Sequence, residues 1–198
     1  MKTLKRITLL CLLLLGFTAL LSGCAGSFRT SGNARQYKAE QLDVADKIRQ
    51  GNAFAAALPK EYELTASVSL SRDEDADRIV YEIFVRDPKV RMEDLKMSFS
   101  LNPQMTSRLK TSDVFTSNAL NGEPISYIPG SSTNGISLYR GFVLDRSLIN
   151  GSMLSIFREM YVKISYSNSD SQVTDYIRLN AVPSTDLLTY LNSSSPGE

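Results

Sequence analysis

Hydrophobic spacing changes character several times along the chain. Residues 7–21 form an apolar run with no polar face. Residues 25–35 are rich in Gly, Ser and Asn and show no apolar period, which predicts a flexible tether. Between 37 and 50, Ala39, Leu42, Ala45 and Ile48 recur every third residue with charges between them. That spacing predicts a helix packed through this stripe, ended by Gly51. At Tyr62 the period drops to two. Tyr62, Leu64, Ala66, Val68 and Leu70 alternate with Glu63, Thr65, Ser67 and Ser69, as in a strand with one wet face.

Residues 71–78 read as an acidic turn, and residues 79–85 (Ile-Val-Tyr-Glu-Ile-Phe-Val) as a central strand covered on both faces. Met97, Phe99 and Leu101 alternate with Ser98 and Ser100 in a third strand, with Ser98 expected to face water. Asn121-Gly122 and Pro129-Gly130 punctuate an irregular stretch, and residues 136–143 form a further strand. Residues 161–166 and 173–179 are strands joined by the loop Ser-Asn-Ser-Asp-Ser-Gln. Residues 145–160 are partly helical, and Pro183-Ser184-Thr185-Asp186 before Leu187, Leu188 and Leu191 resembles a capped short helix.

Strands joined irregularly, with no alternation of helix and strand, predict a mainly β protein. The expected fold is an antiparallel β-sandwich of immunoglobulin-like or similar topology, with one N-terminal helix and short peripheral helices. The expected divisions are a cleaved segment at 1–23, a lipidated tether at 24–36 and a helical lead-in at 37–60. A sandwich domain at 61–191 and a disordered tail at 192–198 follow.

The apolar run lies behind Lys2, Lys5 and Arg6 and is too short to span a bilayer comfortably, since about 20 apolar residues are needed. A basic start, a short apolar run and small residues after it make a secretory signal peptide. Its last residues, Leu21-Ser22-Gly23-Cys24, resemble the lipobox of bacterial lipoprotein precursors. The resemblance implies cleavage after Gly23, diacylglycerol on the Cys24 thiol and acylation of the new amine. It implies a protein held by lipid on the extracytoplasmic face of a cell membrane or outer membrane. Ala25 is not the Asp that retains enterobacterial lipoproteins in the inner membrane, so in a Gram-negative host the outer membrane is favoured.

Composition narrows the chemistry. The 198 residues contain no His and only two Cys, one of them in the apolar run and the other at Cys24. Without His there is no Ser-His-Asp or Cys-His pair and no imidazole metal site. The mature chain would have no free thiol and no disulfide. Twenty-two basic against 21 acidic residues give a charge of +1, which offers nucleic acid no general attraction. Stability has to come from a buried core.

Several motifs invite chemistry and fall short of it. Asp73, Asp75 and Asp77 have the opening spacing of a calcium loop, but Arg78 stands where Gly is needed and Phe84 where a bidentate Glu should close the site. No metal is expected there. Ser107-Arg108-Leu109-Lys110 matches Ser-x-x-Lys, a spacing that a Ser-rich chain meets by chance. Glu93, Asp94 and Asp186 are carboxylates with nothing to set two of them across a cleft. Arg86, Lys89, Arg91 and Lys96 make a loosely basic stretch broken by Glu93 and Asp94, read as a charged sheet edge. Tyr62, Tyr81, Tyr139, Tyr161, Tyr166 and Tyr176 recur on strands among Ser, a combination that adaptable binding surfaces use.

The function these features imply is a lipid-anchored protein-binding or accessory module of a cell-envelope assembly, with no enzyme activity and no cofactor. Asp75-Ala76-Asp77, Val80-Tyr81-Glu82-Ile83 and Arg86-Asp87-Pro88 resemble the first sheet of the outer-membrane lipoprotein of type VI secretion. That likeness implies a secretion-apparatus role as one alternative. A carboxylate-based hydrolase of the envelope is the alternative of another class.

Overall fold

The structure, a computed structural model, describes residues 25–121, 123–131, 134–169 and 171–194. A long helix, α1 (Ala25–Gln50), comes first. It is followed by β1 (Glu63–Arg72), β2 (Asp77–Arg86), β3 (Glu93–Leu101), β4 (Phe115–Ser117) and β5 (Ile136–Val143). Then come α2 (Gly151–Ile156), β6 (Glu159–Asn168), β7 (Ser171–Asn180), β8 (Val182–Pro183) and α3 (Thr185–Ser194).

The chain is mainly β. Its strands form two four-stranded sheets, ordered β5-β2-β1-β8 and β4-β3-β6-β7. All pairings are antiparallel except β1 with β8. The inward rows of both sheets meet in one core. Val68, Ile79, Tyr81 and Ile83 from the first sheet and Met97, Phe99, Val162 and Ile164 from the second are fully buried in it. Two of the core tyrosines place their hydroxyls on acceptors across the fold. Tyr81 donates to the Phe157 carbonyl at 2.7 Å, and Tyr62 donates to Asp175 Oδ2 at 2.7 Å.

Local chemistry fixes the ends of elements. Gly51 takes φ 77° just past α1, a conformation open to glycine. Asn150 Oδ1 accepts from the Met153 amide at the start of α2, and Ser184 Oγ accepts from the Leu187 amide at the start of α3. The outer edge of β7 is occupied by Ala55, whose amide donates to the Tyr176 carbonyl and whose carbonyl accepts from Arg178, both at 2.9 Å.

Several expectations are corrected. The tether region is helical from Ala25, and Asn33 already touches the domain through a 3.2 Å hydrogen bond to the Leu120 carbonyl. Gly32 and the Ser residues are weak helix formers, but extending a helix nucleated downstream adds one hydrogen bond per residue. The Ala39, Leu42 and Ala45 stripe faces solvent, with Leu42 exposed. The docked face instead carries Asn33, Tyr37, Glu40 and Val44, since two alanines offer little area to bury. Ser98 does not face water but is fully buried beneath α1. Residues 192–194 continue α3 rather than starting a tail. The loop between β6 and β7 is shorter than expected, with Ser169 at φ 50° as the strands run on to Asn168 and back from Ser171.

β2 is central but covered on one face only. Ile79, Tyr81, Ile83 and Val85 are buried, whereas Val80, Glu82 and Phe84 on the other face are half-buried. Phe84 is sheltered by Gly135, which sits at φ 135° directly over the ring, so that an added Cβ would overlap it. Gly135→Ala is therefore expected to destabilise the fold by on the order of 1–3 kcal/mol, read as a lower urea midpoint. An unchanged midpoint would show that this loop yields freely.

Candidate functional site

Each sheet presents one outer face, and the two faces meet different fates. On the second sheet, cross-strand pairing aligns Ser117, Ser98, Lys163 and Tyr176 in one row across all four strands. Helix α1 lies over this row and answers it with two carboxylates one turn apart. Glu40 accepts from Ser98 Oγ at 3.1 Å and from Lys163 Nζ at 3.0 Å. Asp43 accepts from Tyr176 Oη at 2.7 Å and pairs with Lys163 Nζ at 2.8 Å. Ser98 and Ser117 hydroxyls are 2.9 Å apart. Tyr37 closes the helix on the β4 side, donating to the Phe115 carbonyl at 3.1 Å with its ring edge-on to Phe115. Phe54 covers Tyr161 and Tyr176 edge-on from the segment after α1.

Electrostatics explain why this seam holds. Lys163 and Glu40 are only 11 % and 12 % exposed. Burial opposes the charge on Lys163, but hydrogen bonds to Asp43 and Glu40 outweigh it and hold its pKa above the ordinary lysine value. Burial likewise raises Asp43, yet hydrogen bonds from Lys163 and Tyr176 and the nearby charge of Lys47 leave its carboxyl below the ordinary range. Burial first, then the Asp43 bond, pushes the Tyr176 hydroxyl far up. The seam is a clamp.

On the first sheet the matching row is Val182, Ser67, Glu82 and Tyr139, again one residue from each strand. Val182, Ser67 and Tyr139 are exposed and Glu82 is half-buried, with Gly135 over the neighbouring Phe84 ring. Tyr139 is 68 % exposed, flanked along β5 by Ser137 and Gly141, both exposed. Thr65 and Ser67 are exposed, with Phe84 and Val80 half-buried beside them. Glu82, half-buried at the centre, has no ion-pair partner among the described residues. This face offers a large aromatic, small hydroxyls and one carboxylate without an ion-pair partner among the described residues, side chains suited to contact with another surface.

The residues singled out in the sequence are dispersed. Cys24 and the lipobox lie outside the described residues. Among the tyrosines, Tyr62, Tyr81 and Tyr166 are core, Tyr161 and Tyr176 lie under Phe54, and Tyr139 alone is largely exposed. Arg78 pairs with Asp73 and Asp75, so the acidic turn is bound to its own arginine. Among the described residues no group of three His, Cys, Asp or Glu is placed to hold a metal. Ser107 donates to the Gln104 carbonyl while Lys110 pairs with Asp145 at 2.5 Å, so the Ser-x-x-Lys pair is turned apart. Glu93 pairs with Arg91 and Asp94 with Lys96 at one end of the sheets, whereas Asp186 lines a cleft with Leu70 and Arg72 at the other. Arg86 is taken by Glu63 at 2.5 Å.

Sequence reasoning missed Glu40, Asp43, Lys163 and Glu82. The signal for the first two is that Glu40 and Asp43 share a helix face with Tyr37 and Val44, not with the alanine stripe. Among the described residues no helix is long and apolar enough to cross a membrane. The chain matches no known protein family, no curated protein and no solved structure.

Proposed function

We propose that this protein is a lipid-anchored, extracytoplasmic binding module of a bacterial cell envelope, which presents the open face of its first sheet to a protein partner. The observation that carries the reading is the contrast between the two faces. One is sealed by a helix and a buried ion cluster, and the other is left bare around Tyr139 and Glu82. A partner with a Lys or Arg reaching Glu82 and a flat surface against Tyr139 suits it, because Tyr adds contact area at small entropic cost.

The immunoglobulin-like reading of the fold draws support from the strand order. β1, β2 and β5 pair as strands A, B and E do in that fold, and β3, β6 and β7 as C, F and G, with β4 added beside C. The anchor reading rests on Leu21-Ser22-Gly23-Cys24. Two or three acyl chains on one residue hold a protein firmly on a membrane, where one chain binds marginally.

Two experiments test this. Cys24→Ser is expected to abolish acyl mass and detergent-phase partitioning, and a wild-type N-terminus found unmodified would remove the anchor. A photo-cross-linking residue at Tyr139, activated in native membranes, is expected to trap one dominant adduct, weakened several-fold by Glu82→Gln. Equal labelling from position Glu74, on the acidic turn, would remove the open face as the binding surface.

A further inference from the structure

Helix α1 and strand β3 run side by side in the same direction. Asn33 lies beside Leu120, Glu40 beside Ser98, and Val44 and Ile48 beside Ser100 and Pro103. The first turns of α1 therefore leave the domain at the end where β3 begins. Eight helical residues, 25–32, precede Asn33 and span about 12 Å in that direction. Cys24 is the next residue. The chain thus leaves toward its anchor at an identifiable end of the two sheets.

That end has its own surface. The β2–β3 connection crosses it, with Asp87 held at φ 49° and Pro88 buried, so the connection is pinned. On one side of Asp87 is a cleft of about 480 Å³ rimmed by Leu58 and Pro59, and on the other a cleft of about 280 Å³ rimmed by Ile128. Leu58 is 54 % exposed and Ile128 42 %, and Leu120, beside Asn33, is equally open. Lys60 and Lys89 are exposed on the same cleft as Leu58, with no ion-pair partner among the described residues. Glu63 and Asp87 line that cleft as well, and the opposite end mixes charges too, with Asp73 and Asp75 paired to Arg78 and Asp145 to Lys110.

We propose that the end bearing Leu58, Leu120 and Ile128 rests on the lipid surface, its aliphatic side chains entering the boundary between headgroups and acyl chains. The proposal rests on the anchor reading and adds an orientation to it. Projecting aliphatics flanked by lysines are the chemistry of a shallow membrane contact. In that pose the strands stand up from the bilayer, and the open face of the first sheet is unobstructed.

The test uses the full lipidated chain in vesicles of phosphatidylcholine and phosphatidylglycerol. Lipidated Cys24 is unreactive, so a single introduced cysteine at Leu58, Ile128, Val182 or Glu74 takes an environment-sensitive fluorophore cleanly. Labels at 58 and 128 are expected to shift to the blue and to be quenched several-fold more by spin-labelled lipid than labels at 182 and 74. Val182, itself largely exposed, controls for attraction of the dye to lipid. A lipidated chain with all four labels quenched alike overturns the orientation and leaves the anchor standing. A chain whose mass carries no acyl group removes both.

Discussion

With Lys163 replaced by alanine, α1 is expected to come off the second sheet while the core between the sheets stays folded. The substitution leaves Glu40 and Asp43 facing each other, the first of them nearly buried, with no cation between them. Removing one partner of a buried ion pair costs 3–5 kcal/mol when the remaining charge is fully enclosed. Asp43 keeps some access to water, so a cost of about 3 kcal/mol is expected. Hydrogen exchange separates this loss from global unfolding, because amides of residues 33–50 should lose protection while those of β3 and β6 keep theirs. Adding Glu40→Gln and Asp43→Asn to Lys163→Met should recover much of the loss, since neutral amides can still accept from Ser98 and Tyr176. Equal protection in wild type and Lys163→Ala would show that Val44 and Tyr37 suffice to hold the helix.

The same seam sets a pH dependence. Asp43 has a folded pKa below its unfolded one, so its contribution is present above roughly pH 4 and is lost as pH falls through the folded value. Lys163 has a folded pKa above its unfolded one, so its contribution is complete at neutral pH and is lost only as strongly alkaline pH passes the folded value. Release of α1 is therefore expected in acid, ahead of the core.

Ile83→Ala should cost roughly 2–5 kcal/mol, and its neighbour Phe84→Ala only about 1–2 kcal/mol, although phenylalanine is the larger side chain. Ile83 is fully enclosed between the sheets, while Phe84 lies on the open face under Gly135 with part of its ring in water. Chemical denaturation of both variants decides it. A Phe84 cost equal to that of Ile83 would mean that a second layer covers β2 after all.

These two residues also mark how far the sequence could be read. The inward rows were legible because each strand places alternate residues on one face, and Leu64, Ala66 and Val68, or Met97, Phe99 and Leu101, keep that rhythm. The outward place of Tyr139 follows the same rhythm, although from sequence it was grouped with the other strand tyrosines. Ile136, Leu138 and Phe142 take the inward register of β5 and leave Ser137, Tyr139 and Gly141 outward. What covers an outward face was not legible. Ser98 and Ser67 look alike in their strands, yet one lies under α1 and the other in solvent. The difference arises 58 residues away, where Glu40 reaches Ser98. Polar against polar leaves no hydrophobic signature on either element. Val80 and Phe84 err the other way, being apolar residues that the neighbouring strands shelter only in part.

The direction of α1 has a mechanical consequence. Its docked residues, from Asn33 to Ile48, extend about 22 Å alongside β3. Tension entering at the N-terminal end acts along this line of attachments rather than across it. Tyr37, Glu40, Asp43 and Val44 would then share the load in shear, whereas a perpendicular pull would peel them away one after another. A domain pulled through its N-terminal end should consequently resist far more force along the axis of α1 than the same seam would bear when lifted from one end.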